Sequence, residues 1–244
     1  MNKLYVAMSV SAVLSLSAGV QASNDGSRWG YQSVYGPESW GHVSKTCETG
    51  KNQSPINIKD TLQADLKPLV FKYEGEVTAL QNNGHTLQAT VTGDNVLVVD
   101  GQEFTLKQFH FHTPSENLIN DHQYPLEAHF VHANRAGELA VVSVMYDAGT
   151  ANAELAQLAK ELPQSGHTVK LEQPFPVQSM LPSTQSYYRF NGSLTTPPCS
   201  EGVRWLVLKQ PQTLSAEQAT ELMTMMGHNN RPLQEKNSRT ILSQ

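Results

Sequence analysis

Short stretches in the middle of the chain alternate between apolar and polar residues, the period expected of a half-buried β-strand. They are rich in β-branched residues and are separated by Gly, Asn and Asp. These stretches cover residues 77–80, 87–91, 96–99, 104–112, 126–133 and 140–146. The pattern predicts an extended, mainly antiparallel sheet.

Two other stretches have the 3.6-residue period of an amphipathic helix. One covers residues 152–162, and the other begins after Ser215. Ser215 and Gln218 fit a capping box at the start of the second helix, and Gly227 fits its end. We interpret the apolar stripes of both helices as core packing. A few helices beside many strands predict a sheet-dominated α+β fold, and with no repeat or linker in the sequence we expect a single domain.

The N-terminus has the pattern of a secretory signal peptide. Lys3 supplies a positive charge, residues 4–20 are apolar or small, and Val20 and Ala22 frame a small-x-small cleavage site. We therefore predict that residues 1–22 are removed. An uncleaved membrane anchor is the alternative, but serines dilute the apolar run and it is short for a bilayer span. Nothing after Ala22 is long and apolar enough to cross a membrane.

The charge of the chain argues against nucleic acid as a partner. The 244 residues carry a formal net charge of −5 at pH 7. The sequence contains no basic run and no interleaving of aromatic and basic residues, which a nucleic-acid groove would need.

Two cysteines, Cys47 and Cys199, lie in the part of the chain predicted to be exported. An oxidising compartment permits a disulfide between them, and we favour that interpretation. Two free buried thiols remain the alternative, because the sequence contains no geometry. A cysteine nucleophile is disfavoured, since two prolines precede Cys199 and no base stands beside it.

Three histidines occupy two of the predicted strands. The period of two places His110 and His112 on one face of the first strand, with Phe109 and Phe111 on the other. If the second strand is a neighbour, His129 completes a set of three imidazoles. Three nitrogen ligands with an open fourth position are typical of a catalytic zinc site, whereas structural zinc sites are closed and usually contain thiolates.

Candidate partners for these imidazoles lie nearby in sequence. A ligating histidine needs an acceptor on its other ring nitrogen, which fixes the tautomer and the ring orientation. Gln108 stands two residues before His110, and Glu127 two residues before His129, each on the same strand face as its histidine. The pattern predicts that both residues support the metal ligands.

Four motifs in the order found here resemble those of the alpha-class carbonic anhydrases. They are QFHFH (108–112), SEN (115–117), EAHFVH (127–132) and SLTTPPC (193–199). Further matches extend the resemblance over residues 28–242. It implies a catalytic domain over residues 23–244, built around a large twisted sheet with one zinc ion at the base of a cleft, and reversible hydration of carbon dioxide to bicarbonate.

The resemblance also assigns roles to individual residues. It implies that His110, His112 and His129 bind zinc, and that the zinc ion lowers the pKa of its water to about 7, for which carbonic anhydrase is the standard example. It implies that the Thr195 hydroxyl accepts a hydrogen bond from the nucleophilic hydroxide and donates a hydrogen bond to Glu116.

Substrate and proton paths follow from the same resemblance. The apolar wall for carbon dioxide would be formed by Val131, Val141, Leu194, Val203 and Trp205, with Thr196 also in the substrate pocket. His85 holds the position of the proton shuttle, for which imidazole is suited because its unperturbed pKa is about 6.5. Tyr31, Asn83 and Gln88 match positions that order water, and Gln88 departs there from the more usual Asn.

Two other functions fit parts of the pattern. His110, His112 and Glu116 also fit the start of a cupin iron or manganese motif, but the framing glycines and the Pro-x-Gly turn before the last histidine are missing. A non-enzymatic zinc-binding or adhesion protein on the same fold is the other alternative. The full set of ligands together with Glu116, Thr195 and His85 favours an enzyme.

We further expect inhibition by anions and primary sulfonamides, and a side activity on activated esters. The signal peptide predicts a periplasmic or secreted protein. We also predict a homodimer.

Overall fold

The computed structural model describes residues 28–244, so the predicted signal peptide lies outside the described residues. The strands within this range are β1 (Asn57–Ile58), β2 (Leu62–Gln63), β3 (Val70–Tyr73), β4 (Glu76–Asn82), β5 (Leu87–Val91), β6 (Asn95–Val99), β7 (Gln102–His112), β8 (Leu118–Ile119), β9 (Leu126–Ala133), β10 (Leu139–Ala148), β11 (Thr168–Pro176), β12 (Tyr187–Ser193), β13 (Glu201–Leu208), β14 (Gln212–Leu214) and β15 (Leu242–Ser243). The six predicted strands are confirmed, as parts of β4, β5, β6, β7, β9 and β10.

Thirteen of these strands form one sheet, whose main path runs β11-β4-β5-β7-β9-β10-β13-β12-β15-β2. β14 pairs with β10, and β3 pairs with β6, which also pairs with β7. Most pairs are antiparallel, but β10 runs parallel to β13 and β14, and β15 runs parallel to β2. A separate parallel pair joins β1 to β8. The sheet-dominated α+β class is confirmed, while the parallel pairs depend on long connections that local patterns do not encode.

The sequence does not predict β11, β12 or β13, because each contains a residue that is unfavourable in a strand. β11 includes Pro174 and Pro176, and β13 includes Gly202 at a φ of 89°. Gly192 in β12 is required by close packing, since a Cβ at that position would collide with Ser54 Oγ and the Trp205 ring. These breaks in the pattern mark bends and close contacts rather than the ends of strands.

The helices are α1 (Lys45–Thr49), α2 (Ala153–Leu158) and α3 (Ala216–Met226). The capping box of α3 is confirmed, with Ser215 Oγ accepting from Gln218 N at 3.3 Å and Gln218 Oε1 accepting from Ser215 N at 3.2 Å. α2 is shorter than predicted, because the chain tightens into a 3-10 turn at Ala159–Glu161 and Leu162 is extended. A residue that precedes a proline is biased away from the helical conformation, and Pro163 follows.

One face of β7 and β9 belongs to the largest hydrophobic core. Phe109, Phe111 and Phe130 are fully buried there, and the rings of Phe109 and Phe130 stack at 4.7 Å between centroids. Burial of each such side chain contributes roughly 1.5–3 kcal/mol relative to exposure. This packing fixes the two strands, and so fixes the side chains on their opposite face.

A disulfide between Cys47 and Cys199 joins α1 to the turn that follows β12, with 5.0 Å between the Cα atoms. The predicted pairing is confirmed. Trp40 is buried beside the bridge, and Trp29 and Tyr31 pack against it. None of the helices within residues 28–244 is both long and apolar enough to cross a membrane.

Candidate active site

The three histidines meet on the face of β7 and β9 opposite the phenylalanines. His110 pairs directly with His129 in the β7–β9 register, and His112 lies one pleat further along β7. Lys107 is an extra residue on β7, and beyond this bulge Gln108, His110 and His112 oppose Val131, His129 and Glu127. One nitrogen from each of the three imidazoles lies within 4.8 Å of the others.

Each imidazole uses its other nitrogen to contact the protein. His110 Nδ1 donates to Gln108 Oε1 at 2.8 Å, and His112 Nδ1 donates to the carbonyl of Asn229 at 2.7 Å. His129 Nε2 lies 2.8 Å from Glu127 Oε1, although its N–H is not aligned well with that oxygen. The remaining nitrogens, Nε2 of His110 and His112 and Nδ1 of His129, carry the lone pairs that a metal requires.

Burial keeps two of these imidazoles neutral. The pKa of His110 is held well below its usual value of 6.5 by burial, and the neighbouring His112 and His129 lower it further. Burial also lowers the pKa of His112, although the hydrogen bond to Asn229 opposes the shift. His112 Nε2 is buried without a hydrogen-bond partner among the described residues. Neutral imidazoles with convergent lone pairs fit a zinc ion, and with no thiolate in the set they fit an open site.

Glu127 supports this cluster as a buried, ionised carboxylate. Its Oε2 accepts from the backbone N–H groups of Glu116 and Asn117, at 2.7 and 2.9 Å. Its Oε1 accepts from Asn117 Nδ2 at 2.8 Å and Ser143 Oγ at 2.7 Å. Burial alone would raise the pKa of Glu127, but the adjacent His129 and the hydrogen bonds from Ser143 and Asn117 hold the pKa at about 2.

Glu116 lies fully buried beside the imidazoles with only one oxygen satisfied. Its Oε1 accepts from the backbone N–H of Arg231 at 2.8 Å. Its Oε2 has no partner among the described residues and lies 3.5 Å from His112 Nε2 and 3.8 Å from His129 Nδ1. Burial raises the pKa of Glu116 to about 7, while His129, Arg231 N–H and the Thr195 hydroxyl act to lower the pKa.

A cleft leads from the imidazoles to the surface. It is lined by Trp29, Tyr31, Asn83, His85, Thr86, Gln88, Gln108, His110, His112 and Thr196. His85 stacks on Trp29, with 3.8 Å between ring centroids and 9° between planes. Gln88 is paired with His110 across β5 and β7. The structure therefore brings the predicted shuttle and water-ordering residues into the same cleft as two of the histidines.

The predicted apolar wall is also brought together. Val141 is paired with Val131 on β9 and with Trp205 on β13, so these three side chains lie side by side across the sheet. They belong to one hydrophobic cluster with Val203 and Leu194. The Trp205 ring lies 4.9 Å from that of His129, centroid to centroid. The wall therefore adjoins the histidine cluster directly.

The sequence alone does not identify several residues that hold the site. Asn229 is fully buried, and its amide contacts Phe111 O, His85 O and the Thr113 N–H. Its carbonyl orients His112, but a backbone carbonyl has no sequence signature. The contacts of Ser143 and Asn117 with Glu127 are equally difficult to predict, because short polar residues occur in strands and turns for many other reasons.

Comparisons with known proteins agree with this geometry. A family model described as eukaryotic-type carbonic anhydrase matches residues 35–244. The chain is 46% identical over 246 residues to a carbonic anhydrase of Pectobacterium carotovorum, with 99% of each chain covered. The solved alpha-carbonic anhydrase of Photobacterium profundum is 56% identical, with a TM-score of 0.87 over 88% of this chain and 100% of that one. An alpha-carbonic anhydrase from Thermovibrio ammonificans, solved with the inhibitor sulfanilamide, is 44% identical, with a TM-score of 0.86 over 89% of this chain and 100% of that one.

These matches extend over nearly the whole described chain and include its histidine cluster. The chain belongs to the eukaryotic-type, or alpha, carbonic anhydrase family, the lyases that interconvert carbon dioxide and bicarbonate.

Proposed function

We propose that His110, His112 and His129 hold one zinc ion and that this chain uses it for reversible hydration of carbon dioxide. The observation that carries the proposal is the arrangement of three buried imidazoles, each with its second nitrogen facing an acceptor and its first facing the other two. When bound, zinc is a Lewis acid that brings the pKa of a coordinated water to about 7, for which carbonic anhydrase is the standard example.

Thr195 and Glu116 would orient the nucleophile. An ionised Glu116 can only accept hydrogen bonds, so a Thr195 hydroxyl that donates to it must use its own oxygen as an acceptor toward the hydroxide. That arrangement leaves a lone pair of the hydroxide directed at the substrate. The free Oε2 of Glu116 faces the ligand nitrogens, where a cation would favour the ionised carboxylate.

The cluster around Val141 and Trp205 would hold carbon dioxide, with Thr196 beside it. Carbon dioxide is small and has no net dipole, so an apolar surface next to the nucleophile binds it without competing for hydrogen bonds. Addition of hydroxide to the carbon would form the new C–O bond as one C=O π bond opens onto its oxygen, and the product would be bicarbonate. Because bicarbonate is charged, the same wall favours its release to solvent.

His85 would carry to solvent the proton that is released when water and carbon dioxide form bicarbonate. It is half-buried at the mouth of the cleft, and its stacking on Trp29 leaves the edge of the ring free to accept a proton. Burial lowers its pKa from 6.5, which favours handing the proton on to buffer. Tyr31, Asn83 and Gln88 line the same cleft as His85, His110 and His112, and would order the waters along it.

Sulfonamides and anions would inhibit by taking the place of the hydroxide, and the sulfanilamide complex of the Thermovibrio relative supports this expectation. Activated esters present a carbonyl to the same nucleophile, so we also propose a side esterase activity. The Cys47–Cys199 disulfide supports export to an oxidising compartment such as the periplasm. Export would show as a mature chain that begins at Ser23 by mass spectrometry.

The direct test is stopped-flow hydration of carbon dioxide with the metal content measured on the same sample. Fast, sulfonamide-sensitive hydration with about one zinc per chain supports the proposal. His110→Ala should lose zinc and activity together. Stoichiometric zinc without hydration would favour a non-catalytic zinc protein, and bound iron or manganese would favour a cupin-like oxidation or isomerisation.

A further inference from the structure

Arg231 is a buried arginine just outside the cleft, with only 3% of its surface exposed. Its Nη1 donates to Gln53 Oε1 and to the Ser54 carbonyl, both at 2.8 Å. Its Nη2 donates to the Cys47 carbonyl at 2.9 Å. The guanidinium carbon lies 5.6 Å from the centroid of the Trp40 ring. Every direct partner of the side chain is therefore neutral.

The backbone of the same residue reaches the active site. Arg231 N–H donates to Glu116 Oε1 at 2.8 Å. The other carboxylate oxygen, Oε2, has no hydrogen-bond partner among the described residues. No salt bridge involves Arg231 among the described residues. Burying a cation without a directly paired anion is costly. Its presence beside Glu116 calls for a function other than stability.

The partners of Arg231 lead to the segment that carries Thr195. Gln53 accepts from the guanidinium and donates through Nε2 to the Cys199 carbonyl at 3.1 Å. Cys47, a second partner, is bonded covalently to Cys199. Cys199 N–H in turn donates to the Thr196 carbonyl at 2.8 Å. Arg231 therefore contacts Glu116 at one end and, through two separate links, the turn after Thr195 at the other.

We propose that Arg231 is a positioning residue for the hydration step, whose guanidinium fixes the separation between the Glu116 carboxylate and the Thr195 hydroxyl. The inference rests on the proposed roles of Thr195 and Glu116. Arg231 touches neither substrate nor metal ligand, so it acts only through these two residues.

Arg231→Lys keeps the charge but loses the planar fork that contacts Gln53, Ser54 and Cys47 together. We expect kcat/KM for carbon dioxide to fall roughly tenfold, the equivalent of one well-placed hydrogen bond. Zinc content should stay at one per chain. At high buffer kcat should fall much less, because proton transfer follows bicarbonate release. A merely structural role would instead reduce the active fraction and lower kcat and kcat/KM in proportion.

Calorimetric binding gives a second readout that does not depend on turnover. A sulfonamide N–H can donate a hydrogen bond to the Thr195 hydroxyl, whereas iodide has no hydrogen to donate. Arg231→Lys should therefore weaken benzenesulfonamide binding by roughly tenfold and leave iodide binding within twofold. Equal losses for both inhibitors, or no loss for either, would overturn the inference.

Arg239→Lys is the matched control. Arg239 lies on the same C-terminal segment and donates to the carbonyls of Lys236, Asn191 and Glu235, but it does not reach Glu116. Gln53→Ala is a milder second variant, should Arg231→Lys not fold, because it removes the link from Arg231 to Cys199, together with a hydrogen bond to Glu201 Oε1, and keeps the guanidinium in place. Thr195→Ala distinguishes a failure of the proposed function from a failure of the inference about Arg231. If it leaves both readouts unchanged, the proposed function fails; if it changes them and the Arg231 and Gln53 variants do not, the inference about Arg231 fails.

Discussion

Glu127 stands opposite His112 in the register of β7 and β9, yet its carboxylate contacts His129, two residues further along its own strand. His112 finds its acceptor in the Asn229 carbonyl instead. The two histidines are therefore oriented by different parts of the chain. A change at Glu127 should disturb His129 directly, while the hydrogen bond that orients His112 stays in place.

We predict that Glu127→Gln weakens zinc binding by roughly 10–100-fold, the range found when an outer partner of a metal ligand is lost. Glu127 accepts from donors on Glu116, Asn117 and Ser143 and lies against His129 Nε2, and an amide would turn its own N–H₂ group toward some of these residues. Competition with a chelator measures the affinity. Glu138→Gln, on an exposed loop, is the control and should bind zinc normally.

His85→Ala should retain zinc and lower kcat at low buffer concentration, with recovery on addition of imidazole. The physical reason is that the imidazole stacked on Trp29 is lost, so the proton must reach solvent through water or through His228, which lines the same mouth of the cleft. Stopped-flow hydration over a buffer series measures the effect, with exposed His122→Ala as the control. Unchanged turnover at low buffer would remove His85 from the proton path.

Loss of the disulfide should destabilise the protein strongly. The bridge spans 152 residues, and chain-entropy models assign roughly 5 kcal/mol to a loop of this length. Urea unfolding of the double variant C47A/C199A, compared with the oxidised parent, measures the free energy of unfolding. A difference below about 1 kcal/mol would mean that the unfolded chain gains little freedom when the bridge is removed.

The stability of the protein should fall in mild acid because of His132. This imidazole is fully buried, donates from Nδ1 to the Ala140 carbonyl at 3.2 Å and accepts from the Tyr73 hydroxyl at 2.5 Å. Burial lowers its pKa to about 4. The unfolded chain binds this proton near pH 6.5 and the folded chain only near pH 4, so the free energy of unfolding decreases as pH falls through that window.

The lost stability amounts to about 3 kcal/mol at most, from a pKa difference of about 2.5 units. Unfolding free energies measured from pH 7 to pH 4 test this prediction. His132→Gln keeps a donor and an acceptor but does not titrate, so its curve should be flatter than that of the parent. His122→Gln is the exposed control. Parallel curves for His132→Gln and the parent would contradict the assignment.

Local sequence patterns were sufficient to predict contacts between residues of the same strand or helix. The alternation in β7 placed Gln108, His110 and His112 on one face, and the same rule placed Glu127 beside His129. The capping box of α3 was equally local. In each case the residues that interact are within four positions of each other, so their relation is fixed by the secondary structure itself.

Long-range contacts are where the sequence alone was insufficient. The bond from His112 to the Asn229 carbonyl spans 117 positions, and the bond from Arg231 to Glu116 spans 115. The bulge at Lys107 sets which residues of β9 the histidines meet, yet nothing about Lys107 itself indicates a bulge. The parallel contact of β10 with β13 likewise depends on the path of the intervening chain.

The position of β7 and β9 within the sheet has a consequence for the lifetime of the bound metal. They lie side by side in the interior of the main path, between β5 and β10, while β11 and β2 form its ends. Strands at the ends can separate and rejoin without disturbing the pairing of His110 with His129. The ion should therefore remain in place through the frequent small openings of the molecule, and leave only in the rare event that separates the centre of the sheet.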